Sequence, residues 1–132
     1  MIGLDSNILV RLIVGDDPNQ MRVAERFIAE HCTRKKPGFI NLVVLCELVW
    51  TLDRMYRFSR ADIANAISGI LSNEILLIDD HEHVVGALGR FQKQGYDFAD
   101  ALIGLMNRGR GCETTITFDR KAAKLEGFRL LS

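Results

Sequence analysis

Five carboxylates set the chemistry open to this chain of 132 residues: Asp5, Glu47, Asp97, Asp100 and Asp119. Asp5 follows the short apolar run Ile2-Gly-Leu4 and precedes Ser6 and Asn7, good helix caps before an apolar helix over Ile8 to Val14. It therefore falls on a strand-to-helix turn, and in open α/β sheets ligands bind outside the carboxyl ends of strands. Glu47 lies in the mostly apolar run Leu42 to Tyr56, where Val43, Val44, Trp50 and Thr51, three and four positions away, bring no positive charge. A carboxylate buried there must be protonated, paired from elsewhere or bound to a cation. Asp97 and Asp100 stand three apart at a helix start, one above the other as like charges. Asp119 follows the β-rich stretch Thr114 to Phe118.

Each acid also has a plain structural role. Asp5 can cap the helix beginning near Asn7, Asp97 can cap its own helix, and Asp100 can serve the first-turn dipole. Asp119 can cap a helix from Arg120, and Glu47 can point to solvent. What favours chemistry is position. Asp5 and Asp119 both follow short strands and Asp100 begins a helix, and in a parallel sheet those places share one edge. Carboxylates gathered there repel one another unless hard divalent cations lie among them, and oxygen-only ligation favours Mg²⁺ or Mn²⁺ over zinc.

The elements that must position these acids alternate along the chain. Asp16-Asp17-Pro18 opens a helix with acidic caps and proline near its first turn, with Met21, Ala24, Phe27 and Ile28 at helical spacing to about His31-Cys32. The basic stretch Thr33 to Gly38 reads as a solvated loop, with phosphate contact a minor alternative. Phe39-Ile40 is a second short strand, and Ser59-Arg-Ala-Asp62 starts a helix running to about Ser72. Ile75 to Ile78 is an apolar strand, Asp80 a helix cap, and Val84, Val85, Leu88 and Phe91 recur at helical spacing to Gly95. Arg129 to Leu131 supplies a last strand. Strands alternating with helices predict an α/β domain of three layers, a mainly parallel central sheet of about five strands flanked by helices.

Length gives one domain, residues 1–132. With 48% hydrophobic and 26% charged residues the composition is that of a globular chain. Seventeen basic and seventeen acidic side chains cancel, so any nucleic-acid surface must arise from local segregation. Cys32, Cys46 and Cys112 lack zinc spacing and fit a reducing cytoplasm. No apolar stretch approaches the roughly 20 residues of a membrane span, and the N-terminus lacks signal-peptide features, so neither export nor insertion is expected.

Four segments, in order, carry a resemblance: Ile2-Gly-Leu-Asp-Ser-Asn7, Leu45-Cys-Glu-Leu-Val49, Asp97-Phe-Ala-Asp-Ala-Leu-Ile103 and Thr115-Ile-Thr-Phe-Asp119. Together they make the whole chain resemble the PIN-domain ribonucleases and, within them, the VapC-like toxins of bacterial toxin–antitoxin pairs. The resemblance implies Asp5, Glu47, Asp100 and Asp119 as an acidic quartet around Mg²⁺ or Mn²⁺, with Asp97 auxiliary and Ser6, Asn7 and Thr117 orienting the site. Ser6 stands where such proteins often carry threonine and keeps the hydroxyl. Also implied are RNA as substrate, with transfer RNA the first to try, a cognate antitoxin protein lying across the site, and a homodimer.

Cations held by these acids would acidify bound water and stabilise the leaving oxygen of a phosphodiester. Arg11, Arg108, Arg110, Arg120 and Lys121 are the basic residues nearest the motif acids, with nothing to rank them. Phe98 and Phe118 read as core rather than as base-stacking residues. Two rivals remain: a non-catalytic binding module on the same fold, and a phosphoacceptor receiver domain starting at Ile75 to Asp80. The second has too little chain after Asp80 for further β–α units of about 30 residues each.

Overall fold

Backbone amides decide where the helices begin. The structure, a computed structural model that describes residues 1–131, divides into two compact units, Met1–Asp79 and the chain from Asp80 onward. In the first, strand β1 (Ile2–Gly3) leads through Leu4 and Asp5 into α1 (Ser6–Val14), and α2 (Pro18–His31) follows. Asp17 caps α2, accepting from the Gln20 amide at 3.1 Å, with Pro18 as first helical residue, where its missing N–H costs no bond. Strand β2 (Gly38–Ile40) feeds α3 (Leu42–Arg54), capped by Asn41, whose side-chain oxygen accepts from Val44 at 2.9 Å. Then come α4 (Arg60–Leu71), capped by Ser59 through the Asp62 amide at 3.1 Å, and β3 (Leu76–Ile78).

The three strands pair in parallel in the order β1-β2-β3, Ile2 opposite Gly38 and Gly38 opposite Leu76. Strands of two or three residues make few ladder bonds, so the helices must hold the unit together. α1 packs on α2 and α3, α3 on α4, and α4 on β3. Their inward faces supply Leu9, Ala24, Ile28, Leu45, Leu48, Leu52, Ile63 and Ile67, all buried together with Ile40 and Ile78 of the sheet. Each fully buried Leu or Ile contributes about 1.5–3 kcal/mol over leaving it exposed.

The second unit holds α5 (His81–Gln94), α6 (Phe98–Gly109), β4 (Thr115–Thr117), a short 3-10 turn (Ala122–Lys124) and β5 (Phe128–Leu130), with β4 and β5 again parallel. Its core is Val84, Ala87, Leu88, Phe91, Phe98, Ala101, Leu102, Ala122 and Leu125. Phe91 and Phe98 meet edge to face, centroids 6.3 Å apart, joining α5 to α6. α5 ends at Gly95, whose φ of 74° suits glycine. Asp80 does precede α5, but at φ 54° its carboxylate makes no capping bond and meets His83 Nδ1 at 2.6 Å instead.

The expected alternation of strands and helices is thus present. Five strands all pair in parallel, three in one unit and two in the other, so the mainly parallel α/β reading holds. Strand bounds differ from those expected by one residue: β1 stops at Gly3, β2 begins at Gly38, β3 begins at Leu76, β4 is a residue shorter at each end and β5 lies one residue earlier. Among the described residues no helix is long and apolar enough to cross a membrane.

Gly104 of α6 faces Phe128 of β5 so closely that an added Cβ would overlap the ring. Gly104→Ala is expected to lower stability by about 1–3 kcal/mol, the usual cost of overpacking. Urea unfolding measures it; a midpoint equal to wild type would mean the ring swings clear without loss.

Candidate active site

In the first unit Asp5 closes β1 and turns the chain. Its extended backbone (φ −83°, ψ 161°) sets the carboxylate over the first free amide of α1, and Oδ1 accepts from Ser6 N at 2.7 Å. Asp5 is therefore the cap, and Ser6 and Asn7, expected in that role, lie inside the helix. A carboxylate one residue upstream captures the amide before a downstream hydroxyl can. Ser6 is left free to donate its Oγ hydrogen to Glu47 Oε1, a bond between residues 41 apart in the chain. Ser6 thereby ties Asp5 and Glu47 together, one through its backbone and the other through its side chain.

Glu47 does not sit in apolar surroundings. α3 turns Leu45, Leu48, Val49 and Leu52 inward and leaves Val43, Glu47 and Trp50 exposed, so the acid carries no burial penalty. The run looked uniformly apolar because exposed Val43 (75%) and Trp50 (56%) mimic core residues in sequence. Asn7 is exposed and makes no bond to either acid; it borders a groove of ≈ 660 Å³ formed by residues of β1, α1 and α2.

In the second unit Asp97 caps α6, its Oδ2 accepting from Asp100 N at 3.1 Å. Asp100 is half-buried, and burial first, then the negative charges of Asp97 and Asp119, pushes its carboxyl above the ordinary 3.8. Asp119 Oδ1 accepts from Lys121 N at 2.8 Å and Ala122 N at 3.0 Å, capping the 3-10 turn. Thr117 Oγ1 in turn accepts from Asp119 N at 3.0 Å, so Thr117 fixes the backbone that carries this acid. Asn107, which sequence reasoning passed over, donates to Thr115 Oγ1 at 3.1 Å and pins β4 to α6.

No ion pair among the described residues engages any of the five acids. An all-oxygen donor set with uncompensated negative charge suits a hard divalent cation. As placed, no three His, Cys, Asp or Glu side chains among the described residues are close enough to hold one ion together. Asp97 and Asp119 are nonetheless near enough to Asp100 to add to the rise in its proton affinity.

Two further expectations are revised. Phe98 is core at 1% exposure, but Phe118 is 77% exposed, because it follows the last residue of β4 where no element covers it. Of the five basic residues near the motif acids, Arg11 is committed to Asp16 (3.1 Å) and Gln20 (2.6 Å), with Tyr56 bridging to Asp16 at 3.0 Å. Arg108 pairs with Glu126 at 2.8 Å. Arg110, Arg120 and Lys121 are exposed and enter no ion pair among the described residues.

Comparison with known proteins gives two matches. The PIN domain profile matches residues 2–127. A VapC ribonuclease of Aquifex aeolicus (strain VF5) is 25% identical over 129 residues, covering 98% of this chain and 94% of that protein.

The raised carboxyl of Asp100 has a sign that can be measured. On raising pH the unfolded chain releases this proton first, so stability falls through the window from 3.8 to the folded value and stays lower above it. Asp100→Asn should therefore raise Tm at pH 7 in chelator, with the gain vanishing below about pH 3.8. Thermal melts across pH check this; a variant less stable than wild type at pH 7 would contradict it.

Proposed function

Because the chain belongs to the PIN-domain family, we propose that it is a metal-dependent endoribonuclease, the toxin of a toxin–antitoxin pair. Residues 1–132 act in this reading as one PIN-like domain. Asp5, Glu47, Asp100 and Asp119 are assigned as the acids that hold Mg²⁺ or Mn²⁺, with Asp97 auxiliary. The observation that carries the reading is Asp100, whose proton affinity is raised by burial first and then by Asp97 and Asp119, with no ion pair on any of these acids among the described residues. The similarity to a VapC ribonuclease along nearly the whole chain supports RNA as the substrate.

Bound among these acids, a divalent ion would supply acidified water and stabilise charge on the leaving oxygen. The chain's own residues set the stage for that. Ser6 holds Glu47 beside the turn that carries Asp5, so two ligands are fixed by one residue. Asp97 spends one oxygen on its helix and keeps the other, and Asp119 likewise offers Oδ2 while Oδ1 stays on the turn amides. Thr117 holds Asp119 through its backbone amide. Asp100 makes no side-chain hydrogen bond among the described residues and is partly desolvated, so a cation beside it would relieve its charge.

An antitoxin protein that covers the site and a homodimer in the cytoplasm complete the proposal, with transfer RNA the first substrate to try. The receiver-domain alternative falls with the family match. A non-catalytic PIN-fold module is the remaining alternative.

Purified chain with Mn²⁺ should cleave RNA, and chelator should stop it. Asp100→Asn and Asp5→Asn should each lose more than the about 10–100-fold that changing a partner of a ligand costs, and Ser6→Ala and Thr117→Val should fall within that range. Single-turnover cleavage with mapped ends measures this. Equal cleavage by wild type and Asp100→Asn would sink the assignment, and a folded chain that binds RNA and never cuts it would favour the binding module.

A further inference from the structure

Directly beyond Asp119 the sign of the charge reverses. Arg120, Lys121 and Lys124 line, with Gln94 and Tyr96, an open cleft of ≈ 480 Å³ in the second unit. All three cations are exposed and none forms an ion pair among the described residues. That sets them apart from Arg11, Arg26, Arg34, Arg54 and Arg108, each of which has a carboxylate beside it. The cleft also abuts the acids through the chain itself: Tyr96 precedes Asp97, Arg120 follows Asp119, and Lys121 N is bonded to Asp119 Oδ1.

We propose that this cleft is a subsite for the phosphates of single-stranded RNA flanking the bond to be cut, an inference that rests on the ribonuclease reading. Three unpaired cations in one concavity, on a chain with no net charge, are a local segregation of the kind a polyanion recognises. Lysine and arginine on phosphate fix register and carry no sequence information directly, so the cleft positions the strand rather than selecting its bases. Gln94 gives the same cleft a neutral polar group for ribose. Carboxylates alone would repel the RNA backbone; the adjoining cations let it approach them.

The test is fluorescence anisotropy with a labelled single-stranded RNA across KCl concentrations, on the Asp100→Asn background so that the RNA stays whole. Each phosphate contact on a single strand contributes about 0.7 to the slope of log affinity against log salt, so three contacts give about 2. Replacing Arg120, Lys121 and Lys124 with alanine should reduce the slope by about 2 and weaken binding at least tenfold at low salt. The charge-keeping triple R120K/K121R/K124R should retain both. An unchanged slope and affinity in a folded alanine triple would overturn the proposal, as would an equal loss in the charge-keeping triple. Failure of the ribonuclease reading looks different: wild-type chain with Mn²⁺ would then leave the RNA whole, whatever the alanine triple does to binding.

Discussion

Crowded negative charge is the constraint on which the second unit turns. Asp97, Asp100 and Asp119 are brought near one another by the N-terminus of α6 and the end of β4, and among the described residues none of them enters an ion pair. Local devices reduce the cost. The amides at the start of α6 and at the 3-10 turn each take one carboxylate oxygen, and a helix N-terminus favours negative charge by about 0.3–1 kcal/mol. Asp100 is held at a raised proton affinity by its burial and, after that, by its two acidic neighbours. A fold that tolerates such a debt keeps negative potential in reserve for a ligand of opposite sign.

The distribution of positive charge follows the same logic. Most arginines near acids are neutralised locally, as Arg11 is by Asp16 and Arg108 by Glu126. Such exposed pairs are worth little to stability, on the order of 0–1 kcal/mol. Their effect is rather to remove those side chains from competition for an anion. Among the described residues Arg110, Arg120, Lys121 and Lys124 enter no ion pair, and three of them lie in the short run after Asp119, so acid and base adjoin in the second unit without pairing. A chain of zero net charge can therefore still present one negative and one positive patch, and composition alone could not show it.

Much of the fold was legible in the residues. Pro18 behind Asp17, Ser59 before Asp62, and Gly95 after the α5 pattern each mark a helix end by a bond or a dihedral that sequence chemistry dictates. The acids were legible as candidates because their types and strand-end positions are unusual together. Less legible was anything that depends on which face of an element is covered. Glu47 reads as surrounded by apolar residues until α3 is seen to leave Val43 and Trp50 outside, and Phe118 reads as core until β4 proves to end before it. The link from Ser6 to Glu47 spans 41 residues, and no local pattern announces it. The same holds for the cleft, since Gln94 and Tyr96 belong to the end of α5 and its exit, remote in sequence from Arg120.

If the motif acids hold a divalent cation together, paramagnetic broadening by Mn²⁺ reads it residue by residue. In amide spectra of the chain titrated with substoichiometric Mn²⁺, the signals of Asp5, Glu47, Asp100 and Asp119 should fade together, before those of exposed acids elsewhere such as Glu30 or Glu74. Fading that begins at those other acids, or spreads evenly over all carboxylates, would contradict it.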